Sequence, residues 1–314
     1  MSKIWVLAYY HLVDIDDPKQ EMKEHKRFCA QHDLMGRIYI AKHGINGQMS
    51  GSPEGAKAYM EWMEGRDLFK GVHFKIHHWH EHCFPRMQIK VKPKVVALDQ
   101  DINFETVGDH ISPKEWKEHL ESNNRPLLLD VRNDYEWEIG RFKGCEKPPC
   151  NTFRDFDEWA GNLQESVDPK KTPVMMYCTG GIRCELFSSM LKLRGFDQVY
   201  QLKGGVINYG LEEGSDHWEG KLFVFDDRMA VPLDEKNTDV IGKCHHCGTP
   251  NDSYFNCANM DCNKLFLCCT ECVQTHKGCC GDSCATLSSD RIRPVNHQQP
   301  HKPFRKWYNY LSKK

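Results

Sequence analysis

Ten cysteines fall between Cys244 and Cys284, and where no export signal is visible such a cluster is more often a metal site than a disulfide net. They come mostly as short pairs: Cys244 with Cys247, Cys257 with Cys262, Cys269 with Cys272, and Cys280 with Cys284. A short pair brings two sulfurs onto one ion, and two pairs close a tetrahedral zinc site. Four pairs can build two such sites, and spacing leaves open which pair joins which. Cys268 and Cys279 are left over, and His245, His246 or His276 could replace a thiol. Zinc in a structural role is the expectation, because four thiolates leave no open position for catalysis. An iron–sulfur cluster is the alternative, and would colour the protein brown. The other six cysteines, Cys29, Cys83, Cys145, Cys150, Cys178 and Cys184, are dispersed. The apolar run at residues 4–8 is too short for a signal peptide or a membrane span. A cytoplasmic location without membrane contact is therefore expected, where thiols stay reduced.

Three further segments are legible in the 314 residues. Residues 1–100 read in the order β-α-β-β-α-β, that of a ferredoxin-like α+β sandwich. Within them, 42–47 is rich in turn formers and suits a sharp hairpin, and 87–96 reads as a strand. Residues 105–225 alternate strand and helix in the α/β manner. Their apolar runs at 126–132 and 173–178 are of the kind found in parallel strands buried on both faces. Residues 240–290 hold the cysteine-rich, metal-binding segment, and 291–314 form a basic tail.

The centre of the α/β segment is Cys178. It leaves a short apolar run and meets Gly180 and Gly181, which let the backbone turn several N–H groups inward. A helix is expected to start at Ile182, so its partly positive end points at the sulfur. Arg183 adds a full cation. All three favour thiolate over thiol, which makes Cys178 nucleophilic and suits it to carry a persulfide or hold a small anion. Cys184 reads equally as a resolving thiol or a packing residue.

The motifs around this loop carry a resemblance. The stretch from Asp130-Val131-Arg132 to Lys143-Gly144 resembles the first signature of the rhodanese fold. Val199 to Val206 resembles the element that follows the active-site helix of that fold. The Cys178-Thr179-Gly180-Gly181-Ile182-Arg183-Cys184-Glu185 loop is similar to that of one subgroup, the bacterial tRNA uridine hydroxylases. That subgroup also carries Gly-Ile-Asn-Gly, here Gly44 to Gly47, in a ferredoxin-like domain, and a cysteine-rich C-terminal segment. The chain departs from its pattern at His43, Cys145 and Leu186. The resemblance spans nearly the whole chain and implies a central rhodanese parallel-sheet domain. It also implies oxygen-dependent hydroxylation of the wobble uridine of tRNA at carbon 5, with molecular oxygen as co-substrate and no obligatory protein partner. Cys178 would be the essential thiol, and Arg183 would orient it or pair with a phosphate or intermediate. Thr179, Gly180, Gly181 and Ile182 would face the substrate, with Asp130 and Arg132 supporting the loop or touching substrate. Asp130 reads equally as a structural acid at the sheet end.

Residue chemistry alone argues first for persulfide transfer, because no haem, flavin or two-His-one-carboxylate iron motif is legible. A sulfurtransferase acting on tRNA or a small acceptor is the alternative. A non-catalytic adaptor docked through its metal module is a third reading, and the intact Cys178 loop argues against it. The net charge of -2 decides nothing about nucleic acid, but its distribution does. Lys90, Lys92 and Lys94 alternate with apolar residues and would share one face of a strand. His77, His78, His80 and His82 sit just upstream, with a spacing that suits a polar loop better than a metal site. Residues 291–314 hold seven Lys or Arg, no acid, and Phe304, Trp307, Tyr308 and Tyr310. Phosphate neutralisation with base stacking calls for that mixture.

Overall fold

Strand β1 (Ile4–His11) turns Val6, Leu7 and Tyr9 into the interior and begins a sheet. The computed structural model describes residues 4–95, 106–150, 153–236, 239–286 and 291–293. The chain forms two compact units, Met1–Pro113 with Pro148–Tyr209, and Lys114–Lys147 with Gly210–Lys314. Residues 105–225 contribute to both.

In the first unit, α1 (Pro18–Cys29) starts at Asp17, whose carboxylate accepts from the N–H groups of Lys19 and Gln20 at 3.0 Å. Strands β2 (Leu34–Ala41) and β3 (Gly44–Gly51) form a hairpin, and α2 (Pro53–Glu64) is capped by Ser52. Strands β4 (Lys75–Trp79) and β5 (Met87–Val91) complete a sheet in the order β4-β1-β3-β2-β5. The first four strands of that order are antiparallel and ferredoxin-like; β5 is an added edge strand, parallel to β2. It ends at Val91, short of the expected 96, and residues 96–105 lie outside the described residues. Leu7, Ile38, Ile40, Ile45 and Met49 from the sheet pack with Ala56, Tyr59 and Met63 of α2.

The expected hairpin turn is narrower than 42–47: only Lys42 and His43 turn, and Gly44 to Gly47 lie inside β3. The reason is Tyr9. Gly47 stands opposite Tyr9 in the register, and a Cβ there would fall 2.2 Å from the Tyr9 ring. Glycine lets that ring lie across the sheet, where its hydroxyl bonds Tyr59, which in turn bonds His25 at 3.0 Å.

Chain order continues with β6 (Asp109–Ile111), α3 (Pro113–Glu121), β7 (Leu127–Asp130), α4 (Asp134–Ile139) and β8 (Gly140–Phe142). Next come α5 (Phe153–Ser166), β9 (Val174–Tyr177), α6 (Ile182–Leu193), β10 (Val199–Leu202) and α7 (Gly205–Glu212). In the first unit β10 runs parallel to both β6 and β9, with α6 as the crossover from β9 to β10. All four residues of β9 are buried, which is why its sequence shows no alternation.

The second unit pairs β11 (Trp218–Gly220) with β8, and β12 (Leu222–Phe223) with β13 (Ala230–Val231). Its cysteine-rich part is built on the hairpin β14 (Tyr254–Asn256) and β15 (Leu265–Leu267), with the short helices α8 (Thr270–Thr275) and α9 (Asp282–Ala285). Replacing Gly47 by valine should lower stability by about 1–3 kcal/mol. Urea unfolding checks this, and a variant as stable as the parent would show that the Tyr9 ring can move aside.

Candidate active site and metal centres

Cys178, fully buried, directly follows Tyr177 at the end of β9, and α6 begins four residues later. The Gly181 N–H donates to the Cys178 sulfur at 3.1 Å. Arg183 is half-buried, with Nη2 3.4 Å from the Thr179 hydroxyl. Burial alone pushes the Cys178 thiol up. A hydrogen bond from Cys184, the Arg183 charge and the N–H groups of Arg183 and Gly181 more than reverse this, and hold it at about 5. Burial and the neighbouring Cys178 drive the Cys184 thiol the other way, so Cys184 keeps its proton and donates it. The pair is a thiolate and a thiol sharing one hydrogen bond.

The start of α7 supports the loop from a second side. The Val206 and Ile207 N–H groups donate to the carbonyls of Cys178 and Thr179 at 3.0 and 3.1 Å. Gly205 has φ +69°, and a Cβ on it would stand 2.6 Å from the Cys178 carbonyl and 2.7 Å from the Gly181 nitrogen. Only glycine fits there. Gly204 to Val206, legible in the sequence only as a motif, thus hold the loop from behind.

Four other groups around the loop were missed. Tyr10 on β1 donates to the buried Glu185 carboxylate at 2.7 Å. His110 on β6 bonds the same oxygen at 2.8 Å, and Gln201 on β10 reaches the other at 3.3 Å. The bond to Glu185 raises the His110 imidazole above its usual range. Lys75 on β4 is buried and donates to the Gly180 carbonyl at 2.8 Å. A signal existed for Lys75: a lysine between Phe74 and Ile76 in a short apolar strand must either snorkel or be used.

Asp130 and Arg132 are brought together, buried, in the second unit. Arg132 binds both Asp130 oxygens at 2.8 and 2.6 Å, donates to the Gly140 carbonyl at 2.6 Å, and lies over the Trp218 ring. Arg132 thus occupies both carboxylate oxygens of Asp130 in a buried bidentate pair. Lys90 and Lys92 are exposed and Lys94 half-buried; only Lys90 lies within β5, and the Lys92 ammonium sits 5.4 Å from the centre of the Tyr39 ring. His77 and His78 are on β4 rather than in a loop, and His82 bonds Ser50. Of the basic tail, residues 294–314 lie outside the described residues. Its first residues are structural: Arg293 is buried and donates to the Cys257 carbonyl and the Asn263 side chain at 2.6 and 2.7 Å.

Eight cysteines gather into two groups of four, Cys244, Cys247, Cys269 and Cys272, and Cys257, Cys262, Cys280 and Cys284. In each group all four sulfurs lie within 4.8 Å of one another. A tetrahedral ion with metal–sulfur bonds of about 2.3 Å places its ligands about 3.8 Å apart. The distances fit: Cys247 to Cys269 is 3.7 Å, Cys262 to Cys280 is 3.6 Å, and Cys280 to Cys284 is 3.9 Å. Backbone N–H groups of Cys269 and Cys280 point at the Cys244 and Cys257 sulfurs, as thiolates require. Each group can hold a metal ion. Cys268 and Cys279 are buried among apolar side chains, and His246 stacks on His276 at 3.8 Å instead of supplying a ligand to either group.

Residues 4–95 match the family model described as a UPF0176 acylphosphatase like domain, 112–211 a rhodanese-like domain, and 219–285 a rhodanase C-terminal domain. A tRNA uridine(34) hydroxylase of Protochlamydia amoebophila is 57% identical over 307 residues, covering 98% of this chain and 95% of the relative. Proteins of the same name from Chlamydia pneumoniae and Chlamydia felis are 50% and 52% identical over 97% of this chain, and over 94% and 93% of their own lengths.

Elemental analysis of the purified protein should find two metal ions per chain, and Cys244→Ser should lower that number. The variant should also unfold its cysteine-rich segment at lower denaturant, by a margin on the order of several kcal/mol. Full metal content in the variant would remove Cys244 from the first group.

Proposed function

This chain belongs to the family of the tRNA uridine(34) hydroxylases, and from that membership we propose that it hydroxylates the wobble uridine of tRNA at carbon 5 with molecular oxygen. The observation that carries the reading is the 57% identity across 98% of the chain. The buried thiolate at Cys178 supplies the chemistry on this side, because it is the group in the loop whose proton is removed at neutral pH. Arg183 holds that charge, and the half-buried Gly180 and Ile182 give substrate a way to the loop. Thr179 and Gly181 set its backbone. Asp130 and Arg132 act as supports for the end of β7, not as groups that touch the base. In this reading the chain comprises a ferredoxin-like domain at 1–100, a rhodanese domain at 105–225 and a zinc segment at 240–290, followed by the tail. Zinc is the ion assigned to both four-cysteine groups, in a structural role, because four thiolates close its coordination. The protein acts in the cytoplasm, where its tRNA substrate is.

The uridine lies in a single-stranded loop, and recognition there combines phosphate contacts with stacking. Lys90, Lys92 and Lys94 with Tyr39 offer that combination at the β5 edge, and the tail adds more charge and four aromatic rings. The thiolate cradle also suits persulfide transfer, so the test separates the two. Nucleosides from tRNA incubated with the protein in air should gain one oxygen on uridine. Cys178→Ser should lower this by a factor on the order of 10³ or more. If no oxygen appears, and thiosulfate and cyanide give thiocyanate, the protein is a sulfurtransferase. Removing 294–314 takes away five Lys or Arg and spares Arg293. tRNA binding should weaken, and its salt slope should fall by about 0.7 per lost phosphate contact. An unchanged slope would place the tail off the RNA.

A further inference from the structure

Lys75 opens β4 on the ferredoxin-like sheet, yet its side chain ends at the thiol loop. The residue is 4% exposed, and its ammonium donates to the Gly180 carbonyl at 2.8 Å. Its stem passes Gly204, where a Cβ would stand 3.1 Å from the Lys75 Cε. The ammonium lies 5.1 Å from the centre of the Tyr10 ring, whose hydroxyl is turned to Glu185. The same Tyr10 hydroxyl would be 3.2 Å from a Cβ on Gly181, so β1 and β4 both close against the loop. Burying an ammonium costs several kcal/mol unless a negative charge compensates it. A neutral donor could hold a carbonyl at less cost, so the carbonyl alone does not account for a lysine. The charges facing this one are the Cys178 thiolate and the Glu185 carboxylate.

We propose that Lys75 is a positioning residue of the Cys178 centre: its ammonium, delivered by the ferredoxin-like sheet, sustains the thiolate together with Arg183. The N-terminal segment is then part of the reactive site as well as of tRNA binding. The proposal rests on the reading of Cys178 as the reactive thiol, and it does not need the reaction to be hydroxylation.

The groups that bear on the charge of this site are Tyr10 of β1, Cys178 at the end of β9, Arg183, Cys184 and Glu185 of α6, and His110 of β6 through its bond to Glu185. Burial pulls Lys75 down to about 8, while the Cys178 and Glu185 charges hold it up against burial. Coupling between two charges is reciprocal, so an ammonium held up by the thiolate holds the thiol down. Cys178 is ionised above about 5, and Lys75 is protonated below about 8. The pair therefore carries both charges between those limits and loses the ammonium as pH rises through the upper one.

The test uses the full-length, metal-loaded protein labelled with carbon-13 at the cysteine β carbons, without tRNA. The Cys178 resonance is assigned by its loss in Cys178→Ser and followed against pH. Wild type should show a main inflection near 5 and a smaller one near 8. Lys75→Met should raise the first by about 1 pH unit and abolish the second. Lys75→Arg, which keeps the charge, should retain the low first inflection without the one near 8. A Lys75→Met profile identical to wild type overturns the proposal. If Lys75→Met fails to fold, the other two proteins decide: absence of the inflection near 8 in wild type, or its persistence in Lys75→Arg, overturns it equally. Failure of hydroxylation in the nucleoside assay leaves this readout untouched, so the two claims fall separately.

Discussion

A thiolate inside a protein survives only where dipoles and cations repay the loss of water, and everything near Cys178 follows from that demand. Burial alone favours the thiol. The balance is reversed by groups gathered at the first turn of α6: the Cys184 proton, the Arg183 charge, and the N–H groups of Arg183 and Gly181. Each is useful only if the loop backbone is held in one conformation. The N–H groups of Val206 and Ile207 fix the outer carbonyls of the loop, and Gly205 permits the approach. The chemistry of one sulfur thus dictates sequence at positions nearly thirty residues downstream.

The same demand explains why a second sheet closes on this site. Glu185 sits in the first turn of α6, buried, and collects Tyr10 from the ferredoxin-like sheet and His110 and Gln201 from the parallel strands. A buried carboxylate left unpaired would be costly, so its three partners hold those strands in register with the helix. Lys75 enters along the same front and binds the carbonyl of Gly180. The Cys178 loop is a meeting point of two sheets: Tyr10 and Lys75 come from one, and His110 and Gln201 from the other.

The ferredoxin-like order, the parallel strands, the Cys178 loop and the two metal-binding groups were legible because each is written in local pattern. A short apolar run gives β1, glycines after another such run give the thiol loop, and short cysteine spacings give the ligand pairs. The Gly44 to Gly47 stretch misled because glycine reads as turn, whereas here it makes room for a ring on the neighbouring strand. Lys75, Tyr10 and His110 were missed for a different reason. Their partner Glu185, or in the case of Lys75 the carbonyl of Gly180, lies 75 to 175 residues away in the chain. Contacts at that separation leave no periodic trace, and a buried charge can be recognised from sequence only as an oddity within a strand.

The cysteine segment shows the same limit, since spacing gave the pairs but not how they join. The first group takes the first and third pairs, and the second group takes the second and fourth. The two closed loops, 244–272 and 257–284, therefore overlap. The hairpin explains why: β14 runs into Cys257 of one group, and β15 runs through Cys268 into Cys269 of the other. Each group thus holds one strand of the hairpin, and the β14–β15 pairing links the two groups. In a segment of this size, such mutual closure would make two bound ions one structural element. Cys268 and Cys279 then need no ion, because their burial among Phe255, Phe266 and Val273 supplies the small core between the two groups.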